Sequence, residues 1–132
     1  MVRIEAMDHL VLAVEDVEHS VSWYSEVLGL EALRVDEWRR GEVFFPSVRV
    51  DEGTIIDIVG RAPGRTYDGQ NVDHFCLVVA PTDLAAVATS GRFDVVEGPV
   101  TRWGARGDGT SLYVRDPDGN TVELRYYGEA NA

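Results

Sequence analysis

The sequence predicts an α+β protein in which one strand-helix-three-strand module is written twice, and three observations predict it. The run Asp8-His9-Leu10-Val11-Leu12-Ala13-Val14 is echoed 65 residues on by Asp73-His74-Phe75-Cys76-Leu77-Val78-Val79. The run Gly53-Thr54-Ile55-Ile56-Asp57-Ile58 is echoed at an offset of 66 by Gly119-Asn120-Thr121-Val122-Glu123-Leu124. Both Asp-His runs are rich in strand-forming residues, and a helical pattern follows each within a few positions. Two echoes of nearly equal offset describe one module repeated with a single net insertion.

In the first module, residues 7–14 are expected to form a strand. Asp16 is a good N-cap for a helix whose apolar positions Val17, Val21, Tyr24 and Leu28 follow helical spacing, and Gly29 stops it. Strands are expected near 31–38, 42–50 and 54–59, and a Gly/Pro/Asp-rich connector over 61–71. The second module repeats the order. A strand at 73–79 leads through Pro81 and Thr82 to a shorter helix with Leu84, Val87 and Ala88 inward, ending at Gly91. Strands follow near 93–97, 110–115 and 121–127; the Gly-rich stretch 104–109 is expected to be a mobile loop, and 116–120 a tight turn.

Composition bounds the partners. A chain of 132 residues, 45% apolar and 27% charged, has the balance of an ordinary globular protein and no room for a multidomain machine. Its longest apolar runs, such as 10–14 and 77–80, fall far short of the roughly 20 residues that span a bilayer, and a secretory pattern is absent, so a cytoplasmic protein is expected. The formal charge of −11 repels phosphate backbones and anionic lipid, which argues against nucleic acid and membrane as partners. All twelve basic residues are arginine. Cys76 is the one cysteine, which excludes an intrachain disulfide framework and a structural zinc site of the cysteine type.

Strand alternation decides which side chains converge. His9 shares a face with Val11 and Ala13, His74 with Cys76 and Val78, Asp57 with Ile55 and Val59, and Glu123 with Thr121 and Arg125. Each module thus offers one imidazole and one carboxylate from equivalent strands. Two modules related by approximate twofold symmetry can surround a divalent cation with two nitrogens and up to two carboxylates. Such a set suits zinc, nickel, iron(II) or manganese and leaves positions open for substrate and water. Asp57, set among isoleucines, needs a partner, which is either the cation, a hydrogen-bonding group or an arginine.

The runs Asp8-His9-Leu10-Val11-Leu12, Trp23-Tyr24-Ser25-Glu26-Val27-Leu28-Gly29-Leu30 and Leu112-Tyr113-Val114-Arg115-Asp116-Pro117-Asp118-Gly119-Asn120-Thr121-Val122-Glu123-Leu124 together resemble the vicinal oxygen chelate superfamily. That superfamily groups glyoxalase I, extradiol dioxygenases, methylmalonyl-CoA epimerase, fosfomycin-resistance transferases and bleomycin-binding proteins. The resemblance covers nearly the whole chain. It implies a single domain of two tandem βαβββ modules, 1–60 and 72–128, forming a cup-shaped mixed sheet with helices outside, commonly in a homodimer. It implies one divalent ion per site held by His9, His74 and Glu123, with Asp57 where glyoxalase and epimerase members carry Glu or Gln.

The activity so implied is that of a glyoxalase-like lyase or isomerase acting on a small oxygen-bearing substrate, with Asp57 or Glu123 moving the proton. Tyr113 is a candidate catalytic residue, and Arg125, Ser111, Cys76 and Trp103 are candidates to touch the substrate. Two other readings stay open. One is a metal-free binding protein of the bleomycin-resistance type, with Trp38, Trp103 and Tyr127 stacking on a planar ligand. The other is an extradiol dioxygenase or a fosfomycin-type transferase.

Overall fold

The computed structural model describes residues 2, 3, 5–63 and 72–128. The chain divides into two compact units, Met1–Tyr67 and Asp68–Ala132. The expected connector lies outside the described residues from 64 to 71.

The first unit begins with β1 (His9–Val14) and α1 (Val17–Ser22), which runs on as a π-helical turn over Trp23–Val27. Asp16 caps α1 by accepting the His19 amide at 3.0 Å. The wider turn is closed by the Leu28 amide on the Trp23 carbonyl, and Gly29, at φ 77°, reverses the chain. There follow β2 (Glu31–Leu33), α2 (Val35–Arg39), β3 (Ser47–Asp51) and β4 (Thr54–Gly60). The sheet order is β1-β4-β3-β2, with β1 parallel to β4 and the other pairs antiparallel.

The second unit repeats this plan. It contains β5 (Phe75–Val78), α3 (Leu84–Ala88), β6 (Asp94–Gly104), β7 (Gly107–Arg115) and β8 (Thr121–Tyr126), in the order β5-β8-β7-β6 with β5 parallel to β8. Two four-stranded mixed sheets of the same topology, each with its helix between first and second strands, are tandem βαβββ modules.

Alternation sorts each sheet into two faces. In the first unit Val14, Val48, Ile56 and Ile58 are buried together with Val21 and Tyr24 of the helical segment. In the second, Leu112, Val114, Val122 and Leu124 are buried together with Leu84 of α3. Burying a side chain of this kind is worth roughly 1.5–3 kcal/mol, so the apolar face fixes the register of each strand. The opposite face therefore carries His9 and Asp57 in one unit, and Glu123 with Arg125 in the other.

Three expectations for the elements are corrected. The strand expected over 31–38 ends at Leu33; Arg34 turns the chain at φ 61°, and α2 occupies Val35–Arg39. Acidic Asp36 and Glu37 in its first turn and basic Arg39 in its last favour the helix, and Arg39 makes two bonds of 2.8 Å to Glu18 of α1. The strand expected from 42 begins only at Ser47, after Phe44 and Pro46.

The expected mobile loop 104–109 is instead the tip of a two-residue hairpin, with Gly104 paired to Gly107, and β6 extends across the whole of 94–104. The glycines serve close packing. A Cβ on Gly104 would lie 2.7 Å from the Arg125 guanidinium carbon and 2.8 Å from the Tyr127 hydroxyl. The turn at 116–120 forms as expected: the buried Asp116 carboxylate accepts the amides of Asp118 and Asn120 and the Asn120 side chain at 2.8–2.9 Å.

Candidate metal centre

Each unit builds the same chain of side chains. In the first, His9 at the head of β1 directs Nδ1 to the Asp8 carboxylate at 2.7 Å and Nε2 toward Oδ2 of Asp57 on β4 at 3.9 Å. Asp57 is 6% exposed, and its Oδ1 accepts the Ser47 hydroxyl at 2.6 Å. In the second, His74, just before β5, directs Nδ1 to Asp73 at 2.6 Å and Nε2 to Oε1 of Glu123 on β8 at 3.0 Å. Glu123 is 4% exposed, and its Oε2 accepts the Ser111 hydroxyl at 2.6 Å. In both units serine satisfies one carboxylate oxygen, and the other is left facing imidazole.

The second unit adds a counter-charge. Arg125, 3% exposed on β8, donates to Oε2 of Glu123 at 2.9 Å and to the carbonyls of Arg102 and Trp103 at 2.8 and 3.1 Å. Burial alone would raise the Glu123 carboxyl, but hydrogen bonds from Ser111 and Arg125, the guanidinium charge and the Tyr113 hydroxyl outweigh it and hold the group below its ordinary value. Burial and the Glu123 charge push the Tyr113 hydroxyl up, so it stays protonated and donating. The edge of its ring meets His74 at 5.5 Å between centroids. His9 is raised, chiefly by its hydrogen bond to Asp8.

Each imidazole–carboxylate pair offers two donors of the kind that take a divalent ion. With Nδ1–H given to aspartate, a neutral imidazole turns the Nε2 lone pair toward a carboxylate oxygen, and two lone pairs 3.0 Å apart repel unless a positive charge joins them. A proton or a metal can do this. Two donors at neighbouring corners of an octahedral ion, each about 2.1 Å away, lie about 3.0 Å apart, as His74 and Glu123 do. The His9 to Asp57 gap of 3.9 Å is wider and would have to close by about 0.9 Å to match that spacing. Among the described residues no group of three or more His, Cys, Asp or Glu side chains is gathered to hold a metal ion.

The remaining candidates are placed as follows. Ser111 and Tyr113 lie on β7 against Glu123. Cys76 on β5 is directly across from Glu123 and is exposed, with its thiol pushed up by partial burial and the Glu123 charge. Trp103 is 80% exposed near the β6–β7 tip. Tyr127 is buried, with the Arg106 and Arg125 guanidinium carbons 4.4 and 5.2 Å from its ring centroid. Sequence reasoning missed Ser47, which equals Ser111 in function but not in offset. Ser47 is directly opposite Asp57, whereas Ser111 reaches Glu123 diagonally from opposite Arg125.

A doubled βαβββ chain presenting one imidazole–carboxylate pair per module is a protein of the glyoxalase type. The model of the Glyoxalase/Bleomycin resistance protein/Dioxygenase superfamily matches residues 6–124, and the chain belongs to that superfamily. It is 31% identical over 126 residues to virulence protein STM3117 of Salmonella typhimurium, covering 94% of this chain and 85% of that protein. The crystal structure of that protein superposes with a TM-score of 0.73 at 27% identity, covering 96% of this chain and 99% of the other. A lactoylglutathione lyase from Salmonella typhimurium is 32% identical over 123 residues, covering 88% of each chain. Among the described residues no helix is long and apolar enough to cross a membrane.

Proposed function

We propose that this protein is a divalent-metal-dependent, glyoxalase-like lyase or isomerase that chelates a small substrate through two neighbouring oxygens. His9, His74 and Glu123 hold the ion, and Asp57 completes the set or works beside it. The observation that carries the reading is the twice-built relay of aspartate, imidazole, carboxylate and serine, with one carboxylate oxygen satisfied and the other facing Nε2. A fold needs no such arrangement twice, since a buried carboxylate costs several kcal/mol unless compensated.

The bound ion would supply Lewis-acid polarisation of the substrate oxygens. The chain's residues divide the rest. Glu123, clamped by Ser111 and Arg125 and held below its ordinary value, stays ionised as a ligand. Asp57, with the Ser47 hydroxyl on one oxygen, keeps Oδ2 to take a proton from the carbon beside a substrate carbonyl and return it to the neighbouring carbon. Asp8 and Asp73 fix the imidazole orientation. Arg125 acts here as a positioning residue, because it is buried and three of its five donors are engaged with Glu123 and two carbonyls. A homodimer is part of the proposal: Val11 and Val78, on edge strands β1 and β5, are 48% and 56% exposed, which fits a surface covered on association.

Metal analysis of the natively purified protein tests the reading. One equivalent of a divalent ion per site, lost in His74→Ala with the fold retained, is the expected result. Protein that carries no metal, takes up none of zinc, nickel, manganese or iron(II), and binds a planar ligand tightly overturns it.

A further inference from the structure

Beside His74 lies a cavity of about 380 Å³ whose wall includes Asp73, His74, Glu97, Tyr113, Arg115 and Thr121. That volume falls in the range of about 300–1,000 Å³ common for small-molecule sites. Its charges are unequally engaged. Asp73 is bonded to His74 at 2.6 Å, and Glu97 is paired with Arg102 at 2.7 Å. Arg115 gives a single donor, Nη1, to the carbonyl of Gly119 at 3.0 Å. A guanidinium carries five N–H donors, so most of its capacity remains for something else.

The first module supplies an internal control. Arg49 stands at the equivalent place, 66 residues earlier, and its Nη1 donates to the carbonyls of Asp51 and Glu52 at 3.2 Å each. Bracing the following turn therefore uses Nη1 alone in both copies. Nη2 and Nε of Arg115 are surplus to that task, and they form the planar fork that matches a carboxylate. Arg125, bonded to Glu123, is 3% exposed and gives three of its donors to groups inside the chain.

We propose that Arg115 is the anion-receiving group of this cavity, and that the substrate is a small carboxylate with an oxygen on the adjacent carbon, of the 2-oxo- or 2-hydroxy-acid type. The proposal rests on the metal-site reading above for the position of the chemistry, and it names the substrate class. The net charge of −11 does not forbid it. At physiological ionic strength charges are screened over about 8 Å, so a guanidinium in contact outweighs dispersed surface carboxylates. Tyr113, adjacent on the wall, and Arg102, 5.9 Å from its ring, keep this end of the cavity polar.

The test compares pyruvate with its neutral isostere pyruvamide on metal-free, isotope-labelled protein, following the resonances of Tyr113, Arg115 and Thr121. Saturable shifts with pyruvate, at least tenfold weaker with pyruvamide, are expected. Arg115→Gln should bring pyruvate down to the pyruvamide level, and Arg115→Lys should keep part of the difference. Thermal midpoints recorded alongside separate turn bracing from binding, and the pyruvate–pyruvamide comparison in the unaltered protein stands even if a variant fails to fold.

Equal binding of the two probes, no binding of pyruvate, or undiminished binding by Arg115→Gln overturns the proposal. Sulfate binding as strongly as pyruvate overturns the substrate class. A repeat with added zinc keeps the two readings apart. Tightening of both probes supports the metal reading, whereas no effect of zinc sinks that reading and leaves the charge comparison to be judged by itself.

Discussion

Replacing Arg125 by Met removes the guanidinium bonded to the buried Glu123 and isolates the energetic role of that pair. The guanidinium is bonded at 2.8–3.1 Å to Glu123, Arg102 and Trp103, and both partners of the ion pair are nearly inaccessible. Deleting one member of such a pair typically costs about 3–5 kcal/mol. The carboxyl can limit its own share by taking up a proton. With an ordinary value of 4.5, protonation at pH 7 costs at most about 3.4 kcal/mol at 1.36 kcal/mol per unit.

The sign follows from proton counting. In the unaltered protein the Glu123 carboxyl is lowered, so its contribution is present above the unfolded value and lost as pH falls through the folded one. In the variant the folded state holds a proton that the unfolded state has released, so stability falls as pH rises above 4.5. The difference between the two proteins should therefore be about 3 kcal/mol at pH 7 and shrink by about 1.4 kcal/mol per unit toward pH 5. Urea unfolding of metal-free protein at pH 5, 6 and 7 measures it. The double variant with Glu123→Gln should recover most of the loss. A deficit under about 1 kcal/mol at pH 7, or one that does not change with pH, refutes the reasoning.

Other expectations follow from the same geometry. Gly104→Ala places a methyl within 2.8 Å of Arg125 and Tyr127 and should lower stability by about 1–3 kcal/mol, seen as a lower thermal midpoint; an unchanged midpoint means the hairpin tip is not packed as described. Ser47→Ala or Ser111→Ala should leave the fold intact and weaken binding of the divalent ion about 10–100-fold in titration calorimetry, because each hydroxyl orients a carboxylate that faces imidazole. Asp8→Asn should lower the His9 titration midpoint in proton NMR, since the Asp8 hydrogen bond is the largest cause of its raised value; a midpoint that stays or rises contradicts the assigned contact.

The doubled module and the His–carboxylate inventory were legible in the sequence because duplication preserves spacing. His9 with His74, and Asp57 with Glu123, keep offsets of 65 and 66, and alternation puts Asp57 opposite Ile56 and Ile58 and Glu123 opposite Val122 and Leu124. Boundaries were less legible where local preference competes. Val35-Asp36-Glu37-Trp38-Arg39 reads as strand by its neighbours, yet its charge order and its ties to Glu18 make it helical. Glycines at 104–109 read as freedom, yet Gly104 and Gly109 are small because Arg125 and Tyr127 pack against them.

The sequence by itself determined which residue types recur and on which strand face they stand, because period and offset are properties of a linear string. Only the tertiary structure decided which hydrogen-bond partner each of them takes. Ser47 meets Asp57 from directly across a strand pair, while Ser111 meets Glu123 along a diagonal, so equal roles sit at unequal spacings. Arg125 and Arg115 both stand on the site face, and only packing separates them: the hairpin carbonyls draw one guanidinium into the interior and leave the other on a cavity wall.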